Sequence, residues 1–113
     1  MRVERVGSGP HWEPELVGSR LRVGGLELDL EALAGPSPTR LLIYARGREA
    51  TLEPTGWVGA EVFLPPVREQ VRWEEGDEAP VVEREPLRTE MVEVRLFCLP
   101  PVVVANEGEG GEA

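Results

Sequence analysis

The sequence predicts an all-β fold: a small antiparallel sheet or sandwich of about five to seven short strands, with a projecting β-hairpin arm. Three observations predict it. No stretch sustains a helical period for long, because 13 glycines and 11 prolines punctuate the 113 residues. Several short runs alternate apolar and polar residues, the period of a half-buried strand. Between two such runs stands Gly24-Gly25, a two-residue loop able to take the positive φ angles of hairpin turns. Residues 1–105 read as a single β domain with 67–87 as its arm, and residues 106–113 as a disordered acidic tail.

Taken in chain order, residues 1–6 suit a short edge strand. Residues 7–18 are irregular, with two prolines and two glycines beyond the first. The hairpin follows over residues 19–30. With Gly24-Gly25 as the loop, Val23 faces Leu26, Arg22 faces Glu27, Leu21 faces Leu28 and Arg20 faces Asp29. One face is then apolar and the other carries two opposite-charge pairs. A slip of one residue would turn every leucine to the wrong face, so turn and pattern demand the same register.

"LEALAG" suits one helical turn, stopped by Gly35, Pro36 and Pro38. Residues 39–45, "TRLLIYA", read as a buried strand, 46–48 as a turn and "EATLE" as a short strand halted by Pro54. Residues 57–66 and 91–101 are strand-like and both end in Pro-Pro. Proline cannot donate to a sheet ladder, so both strands leave their sheet there. In the second, Val92, Val94, Leu96 and Cys98 alternate with Glu93, Arg95 and Phe97. Val102–Val104 suit a strand extension or a subunit contact.

Residues 67–87 carry β-branched side chains on both sides of an "EEGDEAP" turn, which predicts the hairpin arm. Val67, Val71 and Trp73 fall on one face, and Arg68, Gln70 and Arg72 on the other. That is too little apolar surface to bury both faces. An isolated hairpin is marginal in water, so the arm requires a partner or a core contact. Trp and Arg are the residues most over-represented at binding hot spots. Trp73, Arg72, Val71 and Val82 are therefore the expected partner-binding residues.

Composition excludes more than it assigns. The formal charge is −9, from 21 acidic and 12 basic residues, which disfavours binding to nucleic acid or to an anionic membrane. Every one of the basic residues is arginine, and Asn106 and Gln70 are the only side-chain amides. A heat-adapted source fits this, and so does a GC-rich genome. No apolar run approaches a membrane span, and the first residues lack the apolar stretch expected of a secretion signal.

A single cysteine, Cys98, rules out an intrachain disulfide. It is expected as a packed thiol rather than a nucleophile. With His11 the one histidine, ligands for zinc and partners for nucleophilic catalysis are scarce. His11-Trp12 suits a loop aromatic tucked onto the sheet, or a ligand-stacking pair. Trp57 is expected to pack. Glu74, Glu75, Asp77 and Glu78 around Gly76 read as an exposed acidic turn, lacking the EF-hand spacing. The remaining carboxylates alternate along strands or sit in turns, as on a solvated face. No catalytic residue, cofactor or metal is expected, and the chain is expected not to be an enzyme.

"GSRLRVGGLELDLEAL" and "GWVGAEVFLPP" together resemble parts of small proteins encoded beside tail-fibre genes in phages and prophages. In that group a strand pair with a tight glycine turn precedes a strand that begins with Trp and ends in "LPP". The matching segments cover under a third of the chain. The resemblance implies a structural or assembly role, in a phage tail or baseplate, with a virion location; otherwise a cytoplasmic one is expected. The expected partner is another protein, or further copies of the chain in a homo-oligomer. The alternative is an acidic regulator, an inhibitor or nucleic-acid mimic acting on a basic enzyme. Interleaved arginines weigh against the single-sign surface a mimic needs.

Overall fold

The computed structural model describes residues 1–76 and 78–101. The expectations for the 106–113 tail and for Val102–Val104 lie outside the described residues. Within them the chain is almost entirely β. Ten short strands form three sheets, where the sequence predicted about five to seven strands.

The largest sheet has the order β1-β10-β7-β5-β6. Its strands are β1 (Arg2–Arg5), β5 (Thr39–Arg46), β6 (Glu49–Thr51), β7 (Val58–Leu64) and β10 (Glu93–Leu96). The second sheet is β2-β3-β4, made of Glu15–Val17, Arg20–Val23 and Leu26–Asp29. The third contains only β8 (Glu69–Arg72) and β9 (Val81–Arg84).

The sheets are antiparallel except for one edge pair, β1 with β10, which is parallel. Two expectations are corrected here. The segment between residues 7 and 18 is not wholly irregular, because Glu15–Val17 adds an edge strand to the hairpin. The 91–101 segment is also shorter as a strand than its alternation suggests. Thr89–Met91 form a 3-10 turn, and after Leu96 the backbone bonds to neighbouring loops, with Phe97 N–H to Gly59 and Leu99 N–H to Pro10.

The Gly24-Gly25 hairpin has the register its pattern demanded, with Arg20 opposite Asp29, Leu21 opposite Leu28, Arg22 opposite Glu27 and Val23 opposite Leu26. Leu21 and Val23 are buried while Arg20 and Arg22 are exposed. Both glycines have positive φ, 56° and 83°. Gly24 is constrained a second way. A Cβ there would lie 2.7 Å from the Trp12 ring and 2.8 Å from the Ala50 methyl. The Gly24 carbonyl accepts from Ala50 N–H at 2.8 Å, which ties the hairpin tip to β6.

After β4, Asp29 caps a single helical turn, α1 (Leu30–Leu33), by accepting from Ala32 N–H. Ser19 C=O accepts from Leu30 N–H, closing the turn against the start of the hairpin.

One buried cluster joins the two larger sheets. Leu21, Val23, Leu28 and Leu30 come from the hairpin side, and Ile43, Ala60, Val62, Leu64, Val94 and Leu96 from the large sheet. Each fully buried Val, Leu or Ile of such a cluster stabilises by about 1.5–3 kcal/mol relative to exposure. Trp12 closes one end, buried, with its indole N–H donated to Arg48 C=O at 2.8 Å. This is the tucked loop aromatic expected from sequence. Trp12 needs space, and β7 supplies it. The β5–β7 register shifts between Ile43 and Tyr44, leaving Gly59 as an extra residue on β7. A Cβ on Gly59 would stand 2.5 Å from the Trp12 ring.

The opposite face of the large sheet is not bare. Glu61 is buried at 5 % exposure, and its carboxylate meets Arg40 and Arg95 from the two flanking strands. Arg95 also bonds Glu4 of β1 at 2.8 Å and lies 5.8 Å above the Phe63 ring. The ladder Glu4–Arg95–Glu61–Arg40 thus spans four strands.

Candidate interaction surface

The arm begins in the core and leaves it quickly. Val67 and Leu87 are buried, and Val67 N–H bonds to Gly35 C=O at 2.8 Å. Glu85 N–H to Arg68 C=O, at 2.9 Å, closes the base of the ribbon. The arm is braced by one reciprocal contact with α1. The Glu31 carboxylate accepts from Arg84 and from Leu87 N–H, both at 3.0 Å. Arg84 in turn donates to the carbonyls of Glu31 and Ala34, at 2.8 and 2.9 Å. A one-turn helix has its last carbonyls unsatisfied, and α1 has no basic residue of its own in its last turn. The arm supplies the missing cation.

Beyond this brace, every residue of β8 and β9 is exposed. Val71 lies directly opposite Val82, and the two are 62 % and 55 % exposed. Trp73, two residues on from Val71, is 63 % exposed. Val81, opposite Arg72, is also exposed. Each strand pairs only with the other, so both outer edges of the ribbon lack a neighbouring strand among the described residues.

The structure therefore brings Val71 and Val82 together and puts Trp73 beside them. It separates Arg72 from this group. Arg72 projects from the other face, where it pairs with Glu74 and Glu83, each at 3.3 Å. Its guanidinium is engaged within the arm. Val67, assigned from sequence to the same arm face as Val71, instead anchors the core.

Two further places combine aromatic or soft side chains. Trp57 was expected to pack; it stands just before β7 and is 42 % exposed, with its indole N–H donated to Cys98 C=O at 2.8 Å. It borders a shallow groove of about 400 Å³, also lined by Leu42, Val58, Phe97 and Cys98. Cys98 is not in the core cluster, as its alternation implied, but half-buried. The loop through Gly7 and Gly9 wraps its sulfur, which accepts from Gly9 N–H at 3.3 Å. His11 reaches the same place. Its Nε2 lies 2.8 Å from Val6 C=O and 4.0 Å from the Cys98 sulfur. The short contact to a carbonyl assigns the proton to Nε2, so that nitrogen presents no lone pair to the thiol. Sequence reasoning missed this pair because the two residues meet only in the folded chain.

Among the described residues, no group of three or more His, Cys, Asp or Glu side chains is placed to hold a metal ion, and no helix is long and apolar enough to cross a membrane. No protein-family model matches the chain, and neither a curated protein nor a solved structure matches it.

Proposed function

We propose that this chain is a non-catalytic structural or interaction module that assembles with another protein through its β-arm. The observation that carries this reading is the Val71–Val82 pair with Trp73, exposed on a ribbon whose two edges are unpaired among the described residues. Monomeric proteins scatter their exposed apolar residues, whereas grouped ones mark contact sites. A ribbon with free edges can also accept a further strand. The resemblance of residues 18–33 and 56–66 to proteins encoded beside phage tail-fibre genes supports an assembly role in a tail or baseplate. Among the described residues, the body's charges are largely interleaved pairs such as Arg2–Glu93, Arg22–Glu15 and Arg95–Glu4. That pattern does not favour a nucleic-acid mimic.

The test is co-purification with the products of the adjacent genes, followed by light scattering of the purified mixture. A defined complex that is lost when Val71 and Val82 are both changed to threonine supports the reading. A complex that survives this change, or a chain that stays monomeric with every neighbour product, overturns it.

A further inference from the structure

The arm carries a marked excess of negative charge, which bears on what it docks to. Residues 67–87 hold six glutamates and one aspartate against three arginines, and four of those acids lie between residues 74 and 78. Two of the three arginines are also spent locally. Arg72 faces Glu74 and Glu83, and Arg84 is held by Glu31 and two carbonyls at the base. The apolar pair Val71–Val82 and Trp73 thus sits between an acidic tip and a neutralised base.

Resting on the docking role proposed above, we infer that the arm's partner is a cationic protein segment that adds an extended, valine-rich strand to the ribbon. Charge favours it over a second copy of the chain. Each copy carries a formal charge of −9, so bringing two acidic arms together opposes itself electrostatically. Like charges opposite one another in a ladder destabilise it, whereas opposite charges contribute. Both ribbon edges offer backbone donors and acceptors to an incoming strand, and alternation would lay its apolar side chains over Val71, Val82 and Trp73. Its alternate lysines or arginines would then lie on the face of Glu74 and Glu83, two carboxylates that share the single guanidinium of Arg72.

The test uses the full chain and two short synthetic peptides, one alternating valine with lysine and the other valine with glutamate. Backbone amide resonances report where each peptide binds. The lysine peptide is expected to shift the amides of residues 69–73 and 81–84, and the glutamate peptide to leave them unmoved. Raising the salt from about 50 to about 300 mM should weaken binding about tenfold, as screening removes the charge attraction. Val71→Thr/Val82→Thr keeps the β-branched shape and the strand propensity while removing apolar surface. It should weaken binding about tenfold with the core resonances unchanged.

Equal binding of the glutamate peptide, binding of the lysine peptide away from the arm, or no binding of either peptide overturns the inference. A concentration-dependent shift of the arm amides in the chain alone shows a second copy on the arm. That result overturns the cationic partner but leaves the docking role standing.

Discussion

Gly24 shows how one residue can serve two constraints at once. Its φ of +56° suits the turn, and its missing Cβ leaves room for the Trp12 ring. Gly25 shares the positive φ, but a Cβ added there would meet nothing within 4 Å. The two positions should therefore respond differently. Gly25→Ala carries only the backbone cost, about 1 kcal/mol. Gly24→Ala must also displace Trp12, adding an overpacking cost of about 1–3 kcal/mol. Urea unfolding of both variants measures the difference. Equal midpoints would show that Trp12 gives way freely. Glu61 is a second informative residue, because its carboxylate is buried while Arg40 and Arg95 are 61 % and 45 % exposed. In Glu61→Gln both guanidinium groups turn to water, so the loss is smaller than for a wholly buried pair, about 1–2 kcal/mol. The urea midpoint should fall with an unchanged slope.

At the scale of elements, the brace between α1 and the arm joins two pieces that are weak alone. A one-turn helix and a two-stranded ribbon are each marginal in isolation. Glu31 and Arg84 let each satisfy the other's polar groups. Glu31→Ala should leave the core strands protected in hydrogen exchange while amides of residues 69–72 and 81–84 exchange faster. The local loss corresponds to about 1–2 kcal/mol, or roughly a tenfold change in protection. Uniform loss of protection in both sheets would show instead that the brace belongs to the core.

Element by element, what sequence reveals depends on the range of the contact. The β3–β4 register was legible because turn and alternation lie within twelve residues and agree. The arm strands were legible from valines flanking an acidic glycine turn. β1 was visible as an edge strand, but its parallel partner was not, because "RVER" holds one apolar residue and pairs with β10 near the other end of the chain. β2 was hidden because its three residues sit among prolines and glycines, and β3 decides its pairing. Among the site residues, alternation already put Arg72 opposite Val71 and Trp73. Residue type drew it into the contact group, and the local acids claimed it instead. The brace was invisible for the same reason as the His11–Cys98 contact: each joins distant segments through side chains with no distinctive spacing.

For the whole molecule, the relevant fact is how little the arm contributes to the body that carries it. Among its described residues only Val67 and Leu87, at its root, are buried. Gln70 lies opposite Glu83 in a hydrogen-bonded pair, so residues 71–82 can be replaced by an Asn-Gly turn joining those two positions, with the Arg84–Glu31 brace retained. Removing fully exposed strands should change stability by no more than about 1 kcal/mol. Thermal and urea unfolding of this shortened chain, beside its binding in the co-purification experiment, separate two explanations for the arm. If stability holds and complex formation is lost, the arm exists for contact, since folding alone gives no physical reason to keep a grouped set of valines and a tryptophan in water. If unfolding shifts by several kcal/mol, the ribbon supports the core through its root more strongly than its exposure indicates, and the apolar residues have a structural reason to be there.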